Sequence, residues 1–144
     1  MCLWTKNWVN EPSVSDKGIK CYKVIKLGEK HFLTPVQGTR IADKVVNGDR
    51  PFKATCQNIP WRNLVRLDMY TNQYVYLEHG YIHAYHRLSS AKKFCKDFER
   101  CYKKTPKLLI YRCEIPADTE YFDGRHGDIC ARQIVFKECV YKNF

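Results

Sequence analysis

The sequence predicts an α+β fold, a mostly antiparallel sheet with one main amphipathic helix packed on it. Runs rich in β-branched and aromatic residues stand on both sides of a single segment of helical period. The order along the chain is therefore strands, helix, strands, the pattern that segregates a helix to one face of an antiparallel sheet. A length of 144 residues with 44% hydrophobic content suits one domain with one core, residues 1–144, in which residues 1–18 form an N-terminal arm packing on the body.

In the arm, Trp4 and Trp8 are the apolar anchors, and Glu11 to Gly18 is a polar turn region. Ile19 to Leu27 (IKCYKVIKL) is the first strand, ended by Gly28, and His31 to Thr34 returns as a second, stopped by Pro35 and the Gln37-Gly38 turn. From Arg40 to Leu67 the pattern weakens. Turn signals at Asn47-Gly48-Asp49, Pro51 and Pro60 predict a long excursion with short elements only. Tyr74 to Leu77 and Tyr81 to His86 read as two strands of a hairpin joined at Glu78-His79-Gly80, the glycine supplying a positive φ. The helix is expected to begin at Ser89 or Ser90, either of which can cap it, and to end before Pro106. Leu108 to Ile115 is a strand stopped at Pro116, Ala117 to Asp128 an acidic, turn-rich loop, and Gln133 to Tyr141 the last strand.

Wound at about 100° per residue, the segment from Ser89 to Lys107 gathers Lys92, Lys93, Lys96, Arg100, Lys103, Lys104 and Lys107 into a cationic ridge. Ala91, Phe94, Cys95, Phe98, Cys101 and Tyr102 fall on the opposite, core-facing side. Lys and Arg outnumber Asp and Glu by 25 to 15, a net charge of +10, so a polyanionic ligand (nucleic acid or nucleotide) or an acidic protein is the expected partner. Surplus lysine also simply keeps small proteins soluble, and net charge does not by itself separate the two.

The eight cysteines are an even number, but the context is not that of a disulfide scaffold. The first residues lack a basic region followed by an apolar run, and no segment approaches transmembrane length. A cytoplasmic location with reduced thiols acting as small hydrophobes is expected, with no membrane association. No Cys-x-x-Cys occurs, and neither a metal nor a cofactor is expected.

Cys2 would become an N-terminal nucleophile if Met1 were removed, although the neighbouring tryptophans suit a hydrophobic anchor better. His79, His83 and His86 would align for a metal on a helix, but the segment reads as strand, where His86 points away from the other two. Asp118 and Glu120, one residue apart after a strand, could hold a ribose hydroxyl or act in acid–base chemistry, while solvated turn carboxylates are the commoner case. Tyrosines 74, 76, 81, 85, 111, 121 and 141 and Phe122 offer rings for stacking on bases, and strand alternation would bury about half of them. No helix-turn-helix, RNP, zinc-finger, Walker or dinucleotide motif is present.

The succession Met1-Cys2-Leu3, Cys21-Tyr22-Lys23-Val24, Leu33-Thr34-Pro35, Gly80-Tyr81-Ile82-His83-Ala84-Tyr85 with Ala91, and Ile115-Pro116-Ala117-Asp118-Thr119-Glu120-Tyr121-Phe122-Asp123-Gly124 resembles a family of small uncharacterised proteins from gut Bacteroidetes and their phages. That resemblance implies a bacterial or phage-infected cytoplasm and no chemistry. A fainter likeness is to the ADP-ribosyltransferase core, on a Gly-aromatic strand (Gly80-Tyr81-Ile82-His83), a helix with early Ala91, the strand Leu108 to Ile115 and then Glu120. The first strand carries Lys23 where that family has Arg or His, and no Ser-Thr-Ser or paired-glutamate motif follows. The likeness implies an enzyme acting on a nucleotide such as NAD with Tyr81, His83 and Glu120 at its centre, or a degenerate ligand-binding relative.

The leading expectation is a non-enzymatic accessory protein that binds a polyanion through the ridge. The alternatives are the nucleotide enzyme and a protein–protein inhibitor of a bacterial defence system.

Overall fold

In the computed structural model, which describes residues 11–71, 73–76 and 80–144, the chain is α+β with one main helix on a mostly antiparallel sheet. Its spine is three long strands, β2 (Ile19–Leu27), β9 (Leu108–Ile115) and β12 (Gln133–Lys142). β9 lies between the other two and pairs with both antiparallel. Beyond β2 come β8 (Ile82–Tyr85), β11 (Asp128–Ala131), β10 (Glu120–Asp123) and β1 (Ser13–Val14), and beyond β12 comes β5 (Phe52–Lys53). Arg132 alone separates β11 from β12 along the chain, yet β8, β2 and β9 lie between them in the sheet, so the sheet curls back on itself.

Side-chain alternation divides the curl into two faces. Cys21 and Ile25 of β2, Ile82 and Ala84 of β8, Cys113 and Ile115 of β9, and Ile134 and Phe136 of β12 fill the inside. Val24, Leu108 and Ile110 point outward and are covered by Ala91, Cys95 and Phe98 of helix α2 (Leu88–Glu99), the short α1 (Asp43–Val46) lying earlier in the chain. A third cluster, Leu64, Val65, Tyr81, Phe122 and Cys130, lies under a separate two-stranded hairpin of β6 (Val65–Asp68) and β7 (Gln73–Tyr76).

Several sequence expectations are corrected. β7 pairs with β6 and β8 with β11 and β2, so Tyr74 to Leu77 and Tyr81 to His86 are not partners. Residues 77–79 lie outside the described residues, and Gly80 is not in the positive-φ region. Gly80 is required for space instead: a Cβ there would collide with the buried Leu64 side chain. The acidic loop is a hairpin, with β10 and β11 joined by Gly124 to Gly127 and the positive φ of 78° at Gly127. The arm contributes β1, an edge strand on β10, and Ser15 Oγ donates to the Pro116 carbonyl at 2.6 Å. Trp4, Trp8 and Cys2 lie outside the described residues.

The main helix is shorter than expected. It begins at Leu88 after an extended Arg87, with no side-chain cap, so Ser89 and Ser90 sit inside its first turn. It ends at Glu99, not near Pro106, and i→i+3 bonds from Cys101 N to Phe98 O and Tyr102 N to Glu99 O close its last turn. Cys101 and Tyr102 are exposed and are not on the buried face. Asn143 explains the stop: its Nδ2 donates to Glu99 Oε1 at 2.8 Å and to Pro106 O at 2.9 Å, and its Oδ1 accepts from Leu108 N at 2.8 Å. The residue that follows the C-terminal strand thus turns the chain out of the helix and into β9.

Candidate functional site

One edge of β2 serves two neighbours in succession. Tyr22 pairs with Tyr85 of β8, and from Lys26 onward the same strand pairs with β3 (Phe32–Leu33). Between them, at residues 23 to 25, no strand among the described residues is paired on that side, and the gap opens into a cavity of about 150 Å³. The loop from β3 to β4 (Arg40–Ile41) folds over it through Thr34, Val36 and Gln37, and α2 closes the outer side with Phe94. Gly38, at φ 68°, makes the loop tight enough to turn.

Lys23 is the chemically distinctive residue of the cleft. It is only 7% exposed, and its Nζ donates to the carbonyl of His83 at 2.8 Å. Among the described residues no carboxylate pairs with it. Burial pulls its pKa down to about 8. His83, on β8, lines the same cavity and places Nε2 3.2 Å from Asp128 Oδ2. Burial, and then the Lys23 charge, hold the imidazole below its ordinary pKa against the pull of Asp128, so it is neutral at pH 7. A neutral ring that donates Nε2–H to the carboxylate keeps Nδ1 as an acceptor. Burial raises the Asp128 carboxyl, but the bond from His83 and the backbone N–H of His126 outweigh it and hold the group below its usual range.

The expected trio of Tyr81, His83 and Glu120 is only partly assembled. Tyr81 and His83 line the cavity. Glu120 does not. It faces Arg132, 3.8 Å away, and that guanidinium stacks 4.8 Å above the Tyr81 ring. Arg132 also donates to the carbonyls of Cys56 and Ile59, so it clamps the excursion of residues 56–59 onto the sheet. His83 and His86 have separate partners, since His86 lies 2.7 Å from Asp123, and His79 is outside the described residues. Among the described residues no group of three His, Cys, Asp or Glu is placed to hold a metal ion. The roles of Asp128 and Phe94 in the cleft were missed because register and helix packing bring them there, and neither leaves a mark in local sequence.

The cationic residues fall on two kinds of backbone. Lys92, Lys93 and Lys96 lie on α2 and Arg100 caps it, whereas Lys103, Lys104 and Lys107 belong to the connection into β9. Lys107 already behaves as strand, its carbonyl accepting from Leu27 N at 2.9 Å. Among the described residues none of the seven has an ion-pair partner. Rings lie beside them: Lys92 Nζ is 5.4 Å from the centre of Tyr141 and Lys107 Nζ 5.6 Å from that of Phe144, while Lys26 stands 5.9 Å over the half-exposed Tyr102. Among the described residues no helix is long and apolar enough to cross a membrane. No protein-family model, curated protein or solved structure matches this chain.

Proposed function

We propose that the chain is a binding protein for a polyanion, single-stranded nucleic acid above all, held on the face formed by Lys92, Lys93, Lys96, Arg100, Lys103, Lys104 and Lys107. The observation that carries this reading is that, among the described residues, the seven cations between Lys92 and Lys107 lack carboxylate partners while aromatic rings stand beside Lys92 and Lys107. Unneutralised cations release counterions from a phosphate backbone, and flat rings accept unpaired bases without regard to sequence. Lys103, Lys104 and Lys107, which follow the helix, are exposed and open to a ligand in solution.

Fluorescence anisotropy with a labelled oligouridylate or oligothymidylate over a salt series tests it. Binding should weaken linearly in log–log form, with a slope of about −0.7 per phosphate neutralised. Replacing Lys96, Arg100 and Lys103 by Glu should abolish binding with the circular dichroism spectrum unchanged. Binding that survives the triple variant ends the proposal, and binding restricted to an acidic protein would favour the inhibitor reading. Nicotinamide release from NAD that disappears in Glu120→Gln would replace both with the enzyme reading.

A further inference from the structure

The cleft on β2 presents unfilled bonding capacity of two kinds in a space that fits one ring. An ammonium has three N–H donors, and Lys23 has an acceptor for one of them in the His83 carbonyl. Among the described residues the groups that face it are Cys21 on its own strand, Cys113 and Tyr111 on β9, His83 on β8 and Lys53 on β5, none of them anionic at neutral pH. A buried cation without a counter-ion is costly, and an entering anion removes much of that cost. His83 uses Nε2 on Asp128, and among the described residues nothing bonds Nδ1. The cavity, about 150 Å³, matches an engineered apolar cavity known to hold benzene, and Tyr81, Tyr85, Phe94, Val24, Ile82 and Val36 give it a largely apolar wall.

We propose that this cleft is a binding site for a small aromatic carboxylate. Its carboxylate would sit on the free N–H groups of Lys23, its ring against Tyr85 and Phe94, and a ring hydroxyl or N–H would donate to His83 Nδ1. The site is separate from the cationic face and does not depend on it. An aliphatic acid of the same charge would leave the aromatic wall unfilled, and a neutral ring would leave the cation unpaired.

Titration calorimetry of the full chain at pH 7 with benzoate, 3-hydroxybenzoate, benzamide and acetate tests each part. Benzoate should bind at least tenfold more tightly than benzamide or acetate, and 3-hydroxybenzoate more tightly than benzoate. Lys23→Met should abolish benzoate binding, and His83→Ala should erase the advantage of the hydroxyl. The wild-type chain provides a second route that needs no variant: its benzoate affinity should fall, approaching tenfold per pH unit, as pH rises above about 8, while any benzamide binding stays flat. Benzamide binding as tightly as benzoate, benzoate failing to bind the wild type, or benzoate affinity unmoved by Lys23→Met and by pH would each overturn the proposal. A hydroxyl advantage that persists in His83→Ala would overturn the part assigned to His83.

Discussion

At Lys23 the sheet holds a cation on the same inner face as Cys21 and Ile25, and the cost of that placement is measurable. Its folded pKa of about 8 lies below the ordinary 10.5, so between those values the unfolded chain holds a proton that the folded chain has released, and Lys23 favours folding increasingly as pH rises. Below pH 8 the full penalty applies. Lys23→Met should therefore be more stable than wild type at pH 7, by on the order of 3 kcal/mol, and that gap should close as pH rises through the interval from 8 toward 10.5. Urea unfolding of both chains at pH 7 and pH 10 reads the gap directly, and a gap that does not narrow refutes a buried ammonium. The thiols divide in the same way. Burial pushes Cys21 up to about 12 and Cys95 to about 11, while Cys56 and Cys101 are exposed. Brief alkylation of the native protein followed by peptide mapping should label Cys56 and Cys101 and spare Cys21, Cys95, Cys113 and Cys130.

At the scale of elements, the end of α2 and the neighbourhood of Gly80 show long-range contacts overriding local pattern. Asn143 makes three partly buried hydrogen bonds across the junction of helix and strand, so Asn143→Ala should destabilise by about 1 to 3 kcal/mol and weaken protection of the Leu108 amide in hydrogen exchange. Phe98, 9% exposed against Val24 and Leu108, should cost about 3 to 5 kcal/mol when cut to alanine. Gly80→Ala forces a methyl into Leu64, a clash worth about 1 to 3 kcal/mol, and Leu64→Ala in the same chain should recover part of it. Thermal denaturation of the two single variants and the double variant decides the matter; strictly additive losses would mean that the glycine serves some other need.

For the whole molecule, the surplus of ten positive charges is spread unevenly, and the described ion pairs lie elsewhere, around His83, His86, Arg112, Arg132 and Lys137. If the stretch from Lys92 to Lys107 binds nucleic acid as proposed, association should be fast at low salt and slow steeply as salt rises. Stopped-flow association rates at two ionic strengths test this independently of affinity. A rate indifferent to salt would mean that the cations serve solubility alone.

The long strands Ile19–Leu27, Leu108–Ile115 and Gln133–Lys142, the amphipathic segment that became α2 and the class of the fold were legible in the sequence, because alternation and helical period are local properties that burial on one face enforces. The identities of the cationic residues were legible too, since charge is composition. Tertiary structure alone decided which strands pair, where the helix stops and what meets in the cleft. β8 pairs with β11 and β2 and not with its chain neighbour β7, the helix yields to an asparagine 44 residues beyond its last turn, and Asp128 reaches His83 across 45 residues only through strand register. Such contacts are set by three-dimensional closure of the chain, which no window of neighbouring residues contains.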